Sequence, residues 1–335
     1  MTGATNPAVT EPAPAKINLA LHVTGKRSFG YHLIESLVVF TAYGDEVTVA
    51  NAKSDSFVVS GPFGHVLDAG ASNLVVRARD AVRQYAHENT TGEYDFAIAR
   101  TGKRPPGMEG QVTDFFQWWN SSVARTRSAN EPLVTNSVSL RLTKNLPVAS
   151  GVGGGSSDAA ATIRALNRFA NLNLSMDEAR KIALPLGADL PMCLTARPLI
   201  ARGVGEQIER VALPELPMVL VNPGVPVATP HVFRTLASAN NAPLPPLPAA
   251  NTLDTLLQWL PSTRNDLQAP ALAIAPQIAA ALASLNASGA VFTRMSGSGA
   301  TCFGIFRGQS DALSAAMAIR AAQPDWFVVA THTMA

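Results

Sequence analysis

Residues 146–167 read LPVASGVGGGSSDAAATIRALN, and no other stretch limits the fold as much. Four glycines and three serines lie between Ser150 and Ser157, and a helix-forming run follows at once, with Ala159, Ile163, Leu166 and Ala170 at helical spacing. A glycine-rich loop feeding a helix N-terminus suits an anion. Glycine lets the backbone approach closely, unpaired N–H groups point outward, and the helix dipole favours negative charge. Neither common phosphate loop fits. A Walker A loop requires Gly-Lys-Ser/Thr, whereas Gly155 is followed by Ser156 and Ser157, and the dinucleotide fingerprint requires a third glycine where Ser156 stands. An ordinary connection into a core helix is the alternative, but it leaves the entropic cost of Gly153, Gly154 and Gly155 without a purpose.

Composition removes other classes. At 335 residues, with 47% hydrophobic and 15% charged side chains, the chain has room for two domains with buried cores. A net charge of +2 and the lack of a dense Lys/Arg block argue against nucleic acid as a partner. Cys193 and Cys302 are too few for a disulfide framework and belong to no metal-ligand spacing. The first residues, MTGATNPAVTEPAPA, have neither a basic start nor an apolar h-region, so no signal peptide is expected. The most apolar long window, 271–292, is interrupted by Pro276, Gln277 and Asn286, which reads as a core helix and a strand rather than a membrane span. Cytoplasm is the expected location, with no membrane partner.

Along the chain, Lys16–Thr24 alternates. Ile17, Leu19, Leu21 and Val23 take one face, and Lys16, Asn18, Ala20 and His22 the other. Taken alone this is a solvent-facing edge strand, although Lys and Asn side by side could also line a cleft. Gly30-Tyr31-His32 reads as a turn, and strands are expected at Leu33–Phe40, Glu46–Ala50, Phe57–Ser60, Tyr94–Ala99 and Ser137–Leu142, with a helix from about Ser72 to His87. Between Arg100 and Val134, the residues Val112, Phe115, Phe116, Trp119 and Val123 form a helical stripe, read as an accessory excursion packed on its own domain. Ser175 to Glu178 is a capping box for a helix ending near Gly187, where Asp189 reads by itself as a cap or Asx-turn residue. Further strands are expected at Leu199–Arg202 and Met218–Asn222. The last third reads helix (Pro276–Leu285), strand (Val291–Met295), strand (Thr301–Phe306), helix (Ser310–Ala322) and strand (Trp326–Thr331).

Three separated pieces, Pro14-Ala15-Lys16-Ile17-Asn18-Leu19, the loop Pro147–Ala161 and Met295-Ser296-Gly297-Ser298-Gly299-Ala300-Thr301, occur in this order. Together they resemble the three motifs of the galactokinase–homoserine kinase–mevalonate kinase (GHMP) superfamily. Thr24–His32, Gly44-Asp45-Glu46 and Gly187-Ala188-Asp189-Leu190-Pro191 narrow the resemblance to the branch that phosphorylates a cytidine diphosphate-linked acceptor. It runs from about Pro14 to the C-terminus. Val152 stands where the family loop usually has Leu, and residues from about 100 to 134 have no counterpart in the short family pattern.

The resemblance implies an α+β fold of two domains. A ribosomal S5 domain-2-like N-terminal domain would cover 14–190 and a ferredoxin-like C-terminal domain 191–335, with the active site in the cleft between them. It implies ATP as phosphoryl donor, with Mg²⁺, and a small-molecule acceptor. Asn73, Pro147, Gly151, Gly153, Gly154, Gly155, Ser156 and Ser157 would bind the nucleotide, with Ser157 the one candidate metal ligand. Asp189 would take the hydroxyl proton beside the cation of Lys16, a pairing that phosphoryl transfer favours. Asn18, Thr229, Gly297, Ser298 and Gly299 would shape the acceptor side, and Tyr31 and Phe233 would stack on the cytosine while His32 reads its edge. Two alternatives remain: another superfamily kinase, for homoserine or a mevalonate derivative, and an inactive ligand-binding regulator. The aromatic segments argue against the first, and the joint presence of Lys16 and Asp189 against the second.

Overall fold

The computed structural model describes residues 7–27, 31–91, 137–250 and 252–334. The stripe at 112–123, its accessory role and the strand expected at 94–99 lie outside them. Two long strands, β1 (Val9–Lys26) and β2 (His32–Asn51), run antiparallel and organise the first sheet. The two strands expected at 33–40 and 46–50 are one. Gly44 makes the join possible, because β1 crosses it at Pro14 so closely that a Cβ there would sit 2.3 Å from the Ala13 carbonyl oxygen. Along its other edge β2 pairs with β4 (Val138–Thr143) near its end and with β5 (Leu199–Gly203) near its start. β3 (Ser56–Ser60) lies parallel to β4, and β6 (Gln207–Arg210), which has no apolar run to announce it, pairs with β5. Because β5 and β6 belong to this sheet, it extends past the junction expected at 190.

β1 is not a solvent-facing edge: Lys16, Asn18 and His22 are all buried. Nor does its alternation hold. The register shifts between Asn18 and Ala20, leaving Leu19 as an extra residue. A one-residue bulge moves every later side chain to the opposite face. Ile17 and Ala20 therefore share one core, while Leu21 lines the same cavity as Lys16 and Asn18.

The helices α1 (Leu74–Thr91), α2 (Gly154–Phe169), α3 (Met176–Ala183) and α4 (Leu190–Thr195) cover one face of this sheet. Ser175 and Glu178 form the expected capping box of α3. Then come β7 (Pro217–Asn222), α5 (Thr229–Arg234), α6 (Leu253–Trp259), α7 (Gln268–Ile274), α8 (Gln277–Ala287), β8 (Phe292–Met295), β9 (Cys302–Ile305), α9 (Gln309–Ala322) and β10 (Phe327–His332). The second sheet, in the order β10-β7-β9-β8, is antiparallel throughout, which is the ferredoxin-like arrangement. The apolar window resolves into α7 and α8, bent by 118° at their join, and the start of β8, and no single described helix is long and apolar enough to cross a membrane.

β7 is buried on both faces, and its alternation shows how the two sheets join. Val219 and Val221 pack with Ile278, Ala281 and Ile319 of the helices α8 and α9. Met218 and Leu220 pack with Phe303 and Ile305 against Ile17, Leu19, Leu37 and Val39 of the first sheet. Val38 and Phe40 on the opposite face of β2 belong to the core under α1 to α4. The layers thus run helices, sheet, sheet, helices, with the strand carrying Lys16 and Asn18 inside the stack.

Candidate active site

The glycine loop lies where the two sheets meet. The Lys16 backbone N–H donates to the Val152 carbonyl at 2.8 Å, pinning the loop to β1. Gly151 and Gly153 adopt φ of +79° and +64°, a region that L side chains avoid. They also lack room. A Cβ on Gly151 would come within 2.8 Å of Ser296 and Gly299 backbone atoms, and one on Gly153 within 3.0 Å of Lys16 Cε. Helix α2 begins at Gly154, inside the glycine run itself, and no side chain among the described residues caps it. Its first N–H groups are left for an anion, with the dipole of a 16-residue helix behind them.

Lys16 Nζ donates to Asp189 Oδ2 at 2.7 Å. Asp189 precedes α4 but makes no cap hydrogen bond, its carboxylate turning to Lys16 instead. The pair is asymmetric: the Lys16 side chain is 8% exposed and that of Asp189 41%. Burial alone would lower the Lys16 pKa, but the facing carboxylate outweighs it and holds the ammonium above its usual range. Cys193 behind them is pushed up to about 12 by burial and stays a neutral thiol. A protonated cation and a solvent-open carboxylate thus face one cavity.

A second charge cluster escaped sequence reasoning. Lys144, buried under the loop, donates to Asp45 Oδ2 at 2.5 Å and to Asp158 Oδ2 at 2.8 Å. Asp45 also accepts the backbone N–H groups of Asn145 and Leu146, fixing the entrance to the loop. Burial would lower the Lys144 pKa, yet the two carboxylates hold it raised, while burial pushes that of Asp158 well up. Sequence offered little signal, because Asp158 follows directly on the loop, where an acidic residue is ordinary in a first helical turn.

The turn after β8 closes the other side. Ser296 Oγ accepts from the Asn18 N–H and donates to the Gly151 carbonyl, both at 3.1 Å. Asn265, another residue not anticipated, donates to the carbonyls of Met295 and Gly297 at 2.8 and 2.9 Å. Buried Arg294 donates to the carbonyl of the bulge residue Leu19 at 2.7 Å. Ser298 and Thr229 bridge hydroxyl to hydroxyl at 2.7 Å.

These walls enclose a cavity of about 980 Å³. It gathers Lys16, Asn18, Tyr31, His32, Gly151, Gly153, Gly154, Gly155, Ser156, Asp189, Thr229, Phe233, Gly297 and Ser298 from six stretches of chain. Asn73 and Pro147 line an adjoining cavity of about 270 Å³ with Lys144, Gly154, Gly155 and Asp158. Both ends of the Asn73 amide are engaged, Oδ1 by the Val75 N–H at 3.0 Å and Nδ2 by the Asp68 carbonyl at 2.8 Å. Two expected residues stay outside. Ser157 is fully buried and its hydroxyl donates to the Pro14 carbonyl at 2.7 Å, so it faces β1 and is unavailable to a metal. Gly299 backs the turn, where a Cβ would lie 2.7 Å from Met295 Sδ. At the far end His32, rather than Tyr31, stacks on Phe233, with centroids 4.8 Å apart at 24°. Burial and the Lys26 charge lower the His32 pKa, which favours the neutral ring.

Known proteins resemble this chain in both sequence and fold. Residues 121–197 match the GHMP kinases N terminal domain and residues 247–325 the GHMP kinases C terminal domain. A Mesorhizobium japonicum protein described as 4-diphosphocytidyl-2-C-methyl-D-erythritol kinase is 47% identical over 96% of this chain and 95% of its own length. An Agrobacterium fabrum protein of the same description is 45% identical over 100% and 98%. Among solved structures, a 4-(cytidine 5'-diphospho)-2C-methyl-D-erythritol kinase superposes with a TM-score of 0.69 at 27% identity, covering 98% of this chain and all of its own. The L. major mevalonate kinase shares the fold alone, with a TM-score of 0.60 at 14% identity, 99% of this chain and 98% of that one being covered. With relatives this similar over essentially its whole length, the chain belongs to the 4-diphosphocytidyl-2-C-methyl-D-erythritol kinase family of the GHMP kinases.

Proposed function

We infer that the chain transfers the γ-phosphoryl group of ATP to the 2-hydroxyl of 4-diphosphocytidyl-2-C-methyl-D-erythritol, in the non-mevalonate (methylerythritol phosphate) route to isoprenoid precursors. One observation carries the mechanism: the 2.7 Å Lys16–Asp189 pair, buried on the lysine side and open on the carboxylate side, borders the glycine loop. The loop and the α2 N-terminus hold the triphosphate. Asp189 takes the proton of the attacking hydroxyl as its oxygen bonds to phosphorus, ADP leaves, and Lys16 balances the charge that develops.

On the acceptor side, Asn18, Thr229 and the turn Gly297–Ser298 hold the polyol, while Tyr31 and Phe233 take the cytosine between them. The His32–Phe233 contact supports a base site that opens on binding, since rings 4.8 Å apart admit no third ring between them. Mg²⁺ bound with the nucleotide would supply charge neutralisation at the β- and γ-phosphates. No group of three His, Cys, Asp or Glu among the described residues forms a metal cluster. The residues therefore fit an ion carried by phosphate, with the Ser156 hydroxyl and the Asp189 carboxylate as the open oxygen donors beside it. The domain junction belongs after Arg210, where the chain leaves the first sheet. We propose the cytoplasm, where ATP is available, as its location.

The test is ATP consumption with and without the cytidine-linked acceptor, with homoserine and mevalonate as controls. Turnover only with the cytidine-linked compound is the expected result. Turnover with either control would favour another superfamily kinase, and none with any acceptor an inactive regulator.

A further inference from the structure

Asn18 is 2% exposed, and its amide oxygen has no hydrogen-bond partner among the described residues. A buried acceptor left empty in a cavity wall is costly unless a ligand completes it. What aims it there is a neighbouring hydroxyl. Ser36 Oγ donates to the Ala20 carbonyl at 2.6 Å and receives the Asn18 Nδ2 at 2.7 Å. A serine hydroxyl has one hydrogen, and here the Ala20 carbonyl holds it, so Ser36 can only accept from Asn18. The amide must turn its NH₂ to Ser36 and its oxygen away. Ala20 is the first residue after the bulge at Leu19, and the Leu19 carbonyl is held by Arg294, so the backbone that sets this direction is fixed on both sides. Gly297 lies beside the free oxygen, where a Cβ would come to 3.4 Å. Ser36, Asn18 and Gly297 all border the cavity with Lys16 and Asp189.

We propose that Ser36 is a positioning residue: it locks the Asn18 amide with its oxygen toward the acceptor, so that this corner receives a hydroxyl hydrogen adjacent to the one being phosphorylated. The proposal deepens the acceptor reading above and rests on it. It gives the site a selectivity element. A polyol offers the hydrogen the oxygen needs, while a carboxylate at the same place offers only lone pairs and is repelled. Without the Ser36 hydroxyl the amide is free to rotate, and the oxygen no longer prefers a donor.

The test uses steady-state kinetics of the whole enzyme with the full acceptor and with analogues lacking its 1- or its 3-hydroxyl. Ser36→Ala and Ser36→Val delete the hydroxyl, and Ser36→Thr keeps it. The wild type is expected to lose about 10- to 100-fold in kcat/KM on one analogue, the scale of an unmade buried hydrogen bond. Ser36→Ala or Ser36→Val should lose a similar factor on the full acceptor and nothing further on that analogue, with the KM for ATP unchanged and Ser36→Thr behaving as wild type. If the hydroxyl-free variants keep the wild-type penalty, or lose activity equally on every acceptor, Ser36 does not position Asn18. If both hydroxyl-free variants fail to fold while Ser36→Thr folds, the hydroxyl serves folding and the proposal is overturned. If the wild type itself treats both analogues like the full acceptor, Asn18 does not meet these hydroxyls, and the acceptor reading of that residue fails with the proposal.

Discussion

Replacing Lys144 by Met separates what the buried charge cluster does from what the proposed catalytic pair, Lys16 and Asp189, does. The substitution keeps an unbranched chain of similar length and removes the ammonium, leaving Asp45 and Asp158, both at most 3% exposed, to face each other without it. Breaking a buried ion pair by deleting one partner costs about 3–5 kcal/mol, because the remaining charge keeps its desolvation penalty. Asp45 retains the Asn145 and Leu146 N–H groups, whereas Asp158 Oδ1 already has no partner among the described residues, so Asp158 carries most of the loss. A destabilisation of about 3–5 kcal/mol corresponds to a fall in Tm of roughly 4–7 °C for a chain of this size.

The pH dependence gives the sign. Burial raises the folded-state pKa of Asp158 above the unfolded one, so this carboxyl contributes most to stability at low pH and loses that contribution as pH rises through the folded value. The ammonium of Lys144 opposes that loss in the wild type. Without it, the gap in urea midpoint between wild type and Lys144→Met should be largest at neutral pH and shrink as the solution is acidified. Adding Asp158→Asn to Lys144→Met should recover part of the stability by removing one uncompensated charge. A single-variant loss below about 1 kcal/mol, or a gap that widens on acidification, would refute the picture of an ammonium balancing two buried carboxylates.

Asp189→Asn should leave ATP binding nearly intact by calorimetry and lower turnover roughly 10²–10⁴-fold; near-wild-type turnover would remove Asp189 as the base. Tyr31→Ala and Phe233→Ala should each weaken acceptor binding by about 1–3 kcal/mol with the KM for ATP unchanged, and a rise in the ATP constant instead would mean the two nucleotide ends are reversed. Burial and the Arg264 charge lower the His22 pKa from 6.5, so its contribution to stability is complete above that value and is lost as pH falls. In thermal melts between pH 7.5 and 5.5, His22→Gln should show a shallower decline than wild type, and an unchanged slope would assign the decline to other groups.

The glycine loop could be read from sequence because its requirement is local: φ above zero at Gly151 and Gly153 constrains residue identity directly. The C-terminal strands and helices were legible for a similar reason, since their periodicities are unbroken over the length of each element. What failed was non-local. The alternation of β1 gave the wrong partners for Leu21 and His22 because the extra residue, Leu19, is defined only by the register of β2. Gly44 reads as a break between two strands, and its role as the crossing point under Pro14 needs β1 in place. Asn265, Arg294 and Lys144 lie in stretches with no motif character of their own, and their partners are distant in sequence. Asp189 was the hardest case, because position alone makes it a cap and only the approach of Lys16 across the sheet makes it anything else.

Two lysines under one loop differ in the same way. Lys16 lies against Gly153 and Lys144 against Gly154. Both are buried, both are protonated, and both bind carboxylates at hydrogen-bond distance. Lys144 divides its donors between two carboxylates that water does not reach, so taking a ligand phosphate would strand a buried charge, at a cost that no single new contact offsets. Lys16 has one carboxylate partner among the described residues, and that partner is 41% exposed. Asp189 can be resolvated when the lysine turns to a developing alkoxide, and a proton taken up by the carboxylate can leave to solvent. Solvent access on the acidic side, rather than the lysine or its depth, is what would fit one pair for the proposed chemistry and the other for holding the loop in shape.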